Sequence, residues 1–126
     1  MIGGEAQAIE TCLPLLNCYA AECQNMGPPG CGQHTKMSNQ IMIASGMIGV
    51  CEGLLYGHKA GLNLDQLINL LVNGAAGSFT LSKLAPRMLK RDFEPGFYVE
   101  HFVKDLGICL EESKRMGLAL PGAALA

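Results

Sequence analysis

The chain has 126 residues, enough for one domain with a real core, and 49% of them are hydrophobic. Only 16% are charged and the net charge is −2, which argues against nucleic acid or an anionic membrane surface as a partner. The six cysteines stand at 12, 18, 23, 31, 51 and 109 with no Cys-x-x-Cys and no zinc-ligand spacing, so they read as reduced thiols in a cytoplasmic protein.

In chain order the pattern is helical. Residues 1–5 do not read as a secretory leader, and Gly3-Gly4 reads as the end of something that lies upstream. Residues 5–20 have helical spacing (Ala8, Ile9, Cys12, Leu15, Leu16), with a break or restart at Pro14. Residues 21–32 form a loop, set by Pro28, Pro29 and three glycines. Residues 33–59 read as one long helix whose middle is apolar nearly all round, hence a rod through the core. Gly46, Gly49, Gly53 and Gly57 make a stripe down it. Each costs about 1 kcal/mol of helix propensity against alanine, so another backbone is expected to pack there. The apolar run 37–51 reads as too short and too glycine-rich for a membrane span.

Gly61 is the expected end of that helix. Residues 64–72 form a short helix capped by Asn63. Ser78 caps a helix over 79–90 that Pro86 kinks or breaks. A turn at 92–98 holds Pro95 and Gly96, and a final complete helix covers 99–116 with Gly117 beyond. Residues 120–126 read as a helix just beginning, so the chain reads as a piece cut at both ends. No strand-like alternation reaches five residues. The expected fold is all-α, with helices packed around one long central helix.

The chemistry concentrates at residues 27–40, Gly-Pro-Pro-Gly-Cys-Gly-Gln-His-Thr-Lys-Met-Ser-Asn-Gln. Lys36, Asn39 and Gln40 stand at i, i+3 and i+4 and share a helical face beside the turn. A cation near a helix N-terminus opposes the dipole. Partial burial and the dipole both favour the neutral amine, which suits a proton carrier. The blander reading is a solvated lysine. Gly30-Cys31-Gly32 lacks the third glycine of a dinucleotide fingerprint, and no Gly-Lys-Ser/Thr occurs for a phosphate loop. Lys104 and Asp105 read either as an exposed helical charge pair or as an ammonium reaching a ligand. His34, His58 and His101 have no ligand spacing, so no metal is expected.

Gly27-x-x-Gly30-x-Gly32-x-x-x-Lys36-x-x-Asn39 resembles the signature of the β-hydroxyacid dehydrogenases. That family includes 3-hydroxyisobutyrate dehydrogenase, tartronate semialdehyde reductase and, more distantly, 6-phosphogluconate dehydrogenase. Three later segments resemble family segments in the same order: Asn73-Gly74-Ala75-Ala76-Gly77-Ser78, Phe93-Glu94-Pro95-Gly96-Phe97 and His101-Phe102-Val103-Lys104-Asp105-Leu106-Gly107. The resemblance covers essentially the whole chain. It implies that residues 1–126 are the helical substrate-binding and dimerisation domain, like the 6-phosphogluconate dehydrogenase C-terminal domain. The Rossmann domain that mainly binds NAD or NADP and the last helices are then absent.

The resemblance implies Lys36 as the catalytic proton carrier, with Asn39 and Gln40 near the substrate. Gln40 stands where many members have a second asparagine. It implies Lys104 as a cofactor contact across the cleft, Asp105 as its support, and Gly30 and Gly32 as places where backbone meets the ligand. The implied reaction is hydride transfer between a small 3-hydroxyacid and a nicotinamide cofactor in a homo-oligomer, with this piece inactive alone. Two other readings stand beside it: a helical dimerisation or interaction module without chemistry, and a Schiff-base lysine enzyme.

Overall fold

The computed structural model describes residues 1–126. They form two compact units, Met1–Gln40 and Ile41–Ala126, where length alone predicts one.

The named elements are helices, and unit 1 adds one isolated bridge. Ile2 and Asn25 form an isolated parallel bridge. The Ile2 N–H donates to the Gln24 carbonyl at 2.9 Å, and the Met26 N–H to the Ile2 carbonyl at 2.8 Å. Between the paired stretches runs helix α1, Ala6–Leu16. The bridge is a single pair of residues, with no strand on either side. The sequence hid it because the paired stretches are too short to show alternation. α1 runs through Pro14 without breaking. Pro14 has no N–H to donate to the Glu10 carbonyl, so the helix forgoes one bond there and continues for two more residues. No residue of α1 is buried.

Helix α2, Cys31–Lys59, begins in unit 1 and continues into unit 2. It starts two residues before the expected position, directly after Gly30, whose φ is +95°. Its end is the expected one. Gly61, at φ +76°, donates to the His58 carbonyl while Leu62 donates to that of Gly57, a Schellman closure.

In unit 2, Asn63 Oδ1 accepts from the Gln66 N–H at 3.0 Å and caps α3, Leu64–Leu71. A π-helical turn, Thr80–Leu84, then leads into α4, Ala85–Leu89. Ser78 Oγ receives the Leu81 N–H at 3.0 Å, as a cap should. Pro86 supplies no N–H. The turn before it widens, and the Ala85 N–H reaches back to Thr80 rather than to Leu81. Arg87 holds the following turn through a two-pronged pair with Asp92 and a bond to the Glu94 carbonyl at 2.7 Å. Helices α5, Val99–Arg115, and α6, Pro121–Leu125, complete the chain. Leu54, Ile68, Leu81 and Ala85 make the core of unit 2, with Val50, Leu64 and Leu89 against them.

The long helix is not the buried rod that its composition suggested. Met42, Leu55 and Tyr56 lie on the surface. A side chain added at Gly46, Gly49 or Gly53 would meet nothing within 4 Å. Only Gly57 of the stripe has a close neighbour, and that neighbour is the Leu67 side chain rather than a backbone. α2 is also long and apolar enough to cross a membrane by length and composition, where the 37–51 run alone had seemed too short.

Candidate active site

The second turn of α2 brings three side chains of unit 1 together. Gln40 Oε1 accepts from Lys36 Nζ at 3.0 Å and from Asn39 Nδ2 at 3.0 Å. The i, i+4 spacing puts Lys36 and Gln40 on one face, and the long glutamine side chain closes the gap. Gln40 is 3% exposed. Lys36 is exposed, so the burial expected at the amine is found instead at its partner.

Lys36 lines an open concavity of about 480 Å³ together with Met1, Ile2, Gly3, Gly32 and Gln33. The floor is set by a backbone-on-backbone contact. A Cβ on Gly3 would lie 2.7 Å from the Gly32 nitrogen, and one on Gly32 would lie 3.0 Å from the Gly3 nitrogen. Gly32 therefore meets the chain's own first residues, and Gly30 serves a left-handed backbone turn. The chain accounts for both glycines without a ligand. Sequence reasoning missed Met1, Ile2, Gly3 and Gln33 as wall residues. The available signal was a second glycine pair, Gly3-Gly4, that needed a close neighbour.

Lys104 and Asp105 belong to unit 2, on α5. Lys104 Nζ donates to the Asp105 carboxylate, and the lysine side chain is 62% exposed. His34 lies in unit 1, His58 and His101 in unit 2, and no three metal-ligating side chains converge anywhere.

Residues 30–126 match the family model described as NAD-binding of NADP-dependent 3-hydroxyisobutyrate dehydrogenase. The chain belongs to the 3-hydroxyisobutyrate dehydrogenase family. Among relatives of this family, an uncharacterized oxidoreductase, YkwC, of Bacillus subtilis is 54% identical over all of this chain and 44% of its own length. The 2-hydroxy-3-oxopropionate reductase of Escherichia coli is 36% identical over 98% of this chain and 42% of its own length. The solved 3-hydroxyisobutyrate dehydrogenase of Mycobacterium tuberculosis, described with L-serine, superposes with a TM-score of 0.91. It covers 98% of this chain and 45% of that one at 24% identity, a likeness of fold. The chain thus spans less than half the length of these relatives.

The family match also corrects the fold assignment. The chain was expected to be the C-terminal helical domain, a 6-phosphogluconate dehydrogenase-like bundle around a central helix. The matching model is instead the family's NAD-binding region. The exposed face of α2 is likewise foreign to a bundle around a buried rod.

The family's cofactor is NAD or NADP. The loop at 27–32 does not fit its pyrophosphate: the glycine fingerprint is incomplete, and the Gly32 backbone is already against Gly3. Lys104 is an exposed cation within the matched region and fits a cofactor phosphate or carboxamide as a donor.

Proposed function

We propose that the full-length protein is an oxidoreductase that interconverts a small 3-hydroxyacid and its semialdehyde or keto form. The observation that carries this reading is the Lys36–Gln40–Asn39 cluster, with Lys36 on the wall of a concavity. In the oxidative direction Lys36 Nζ takes the proton of the substrate hydroxyl, and in the reductive direction it returns that proton. The nicotinamide cofactor, when bound, supplies the hydride acceptor. Asn39 orients the substrate beside the amine. Lys104 contacts the cofactor, and Asp105 holds Lys104 through their ion pair.

In this reading residues 1–126 supply the substrate side of the cleft and a dimerisation surface, and the chain alone is inactive. Self-association is favoured by the exposed apolar residues Met42, Leu55 and Tyr56 on α2. The same surface favours a second reading, a dimerisation module without catalytic role. The protein is cytoplasmic in this proposal, with its six cysteines as free thiols and with no nucleic acid or membrane partner.

The test restores the upstream coding region and screens small 3-hydroxyacids and semialdehydes by nicotinamide absorbance. Turnover of a short 3-hydroxyacid is expected. No turnover of any of them by a folded, cofactor-binding protein would leave the dimerisation reading.

A further inference from the structure

Gln40 is the one buried polar side chain of unit 1, and a buried amide oxygen must be satisfied. A carbonyl oxygen has two lone pairs. Both are engaged here, one by Lys36 Nζ and one by the Asn39 amide, each at 3.0 Å. That oxygen has no acceptor capacity left for a substrate hydroxyl. With its side chain 3% exposed, Gln40 also presents almost no surface to a ligand.

We infer that Gln40 is a positioning residue: its buried carbonyl fixes the Lys36 amine and the Asn39 amide, and it does not itself bind substrate. This rests on the proposed role of Lys36. The geometry assigns two tasks to one atom. It tethers a flexible four-carbon side chain at its charged end, which limits where the amine can meet a hydroxyl proton. It also sets the Asn39 amide. Because Asn39 donates to Gln40 through Nδ2, that bond leaves Asn39 Oδ1 uncommitted as an acceptor for a hydroxyl or a protonated group. An asparagine at position 40 would end one methylene short of the amine. The length of glutamine is what lets position 40 serve Lys36.

The test uses the full-length enzyme loaded with its cofactor, with Gln40→Met and Gln40→Glu compared for kcat, KM and thermal unfolding. Methionine keeps the volume and removes the acceptor. Glutamate keeps the reach and an acceptor oxygen. Gln40→Met is expected to lose about 10²-fold in kcat with KM within a factor of about two, the signature of a displaced reacting group. Gln40→Glu keeps the tether but its negative charge favours the ammonium form of the amine, so it is expected to recover most of kcat only as pH is raised.

A packing role would rank them the other way, with methionine tolerated and a buried carboxylate harmful. That order would overturn the inference. So would a rise in KM with kcat intact, which would mark Gln40 as a substrate contact. If Gln40→Met does not fold, Gln40→Glu decides: turnover that returns as pH is raised supports the positioning role, and turnover absent at every pH or a failure to fold contradicts it. Lys36→Met separates the two levels. If Lys36→Met keeps turnover, the catalytic reading itself fails; if it is inactive while both Gln40 variants behave as wild type, only the positioning role fails.

Discussion

Each of the two units is stabilised internally by different means. Unit 2 rests on apolar burial: Leu54, Ile68, Leu81 and Ala85 exclude water from one another, and the caps at Asn63 and Gly61 only trim the helix ends. Unit 1 has no such cluster. α1 buries nothing, and the fixed points are the bonds of the Ile2–Asn25 bridge, the Gly3–Gly32 contact and the buried Gln40 oxygen. The lesson is that the candidate site sits on the polar, glycine-built unit. A small change of backbone there moves Lys36, whereas the same change in unit 2 costs stability first.

The contrast breaks most visibly in the core. Ile68→Ala should destabilise unit 2 by about 2–5 kcal/mol, whereas Leu15→Ala on exposed α1 should stay within about 0.5 kcal/mol. Amide hydrogen exchange resolved by segment checks both. Equal losses would mean that α1 is covered in the whole protein.

Gly3→Ala should act next most strongly. Its Cβ would press on the Gly32 nitrogen and the Pro28 carbonyl, both backbone atoms that cannot rotate away. A loss of about 1–3 kcal/mol in unit 1 is expected, together with reduced turnover in the full-length enzyme. A variant with normal turnover would show that the concavity does not depend on this contact.

Gly49→Ala sharpens the comparison from the other side. Open space surrounds this position, so in the isolated chain alanine should stabilise α2 by about 1 kcal/mol. If melting instead falls in the full-length protein, a close neighbour from outside this chain covers that face.

The smallest effect concerns the Arg87–Asp92 corner. The Arg87 guanidinium, through its hydrogen bonds, holds the Asp92 carboxyl below the usual carboxylate range, helped by the Glu94 N–H. A carboxylate whose pKa is lowered on folding stabilises fully at neutral pH, and the contribution fades as pH falls through the lowered value. Protection at the Asp92 and Glu94 amides, taken relative to the intrinsic exchange rate at each pH, should therefore fall in acid, and Asp92→Asn should remove that dependence. Both groups are solvent-exposed, so the loss should be slight.

Much of this was legible in the sequence, for local reasons. Asn63, Ser78, Gly61 and Gly117 act within a turn of their own position, and their roles follow from residue type alone. Lys36, Asn39 and Gln40 were readable as one face because helical spacing is fixed. What failed depends on neighbours far away in sequence. The parallel bridge joins residues 23 positions apart and has no periodic signature. The apolar middle of α2 looked like core because composition cannot say whether a hydrophobic face is covered. The close approach of Gly32 to Gly3 joins positions too far apart for spacing to reveal it. That one Gln40 oxygen serves both Lys36 and Asn39 needs side-chain geometry, which spacing does not give.

The central claim is that the Lys36 amine moves the substrate's proton. The direct measurement is kcat of Lys36→Ala in the full-length enzyme, with and without a small primary alkylamine in solution. A fall of about 10²–10⁴-fold, with cofactor affinity unchanged and turnover partly restored by the amine, is the predicted result. A kcat close to wild type, or a loss that no amine restores while the cofactor also binds poorly, would contradict it.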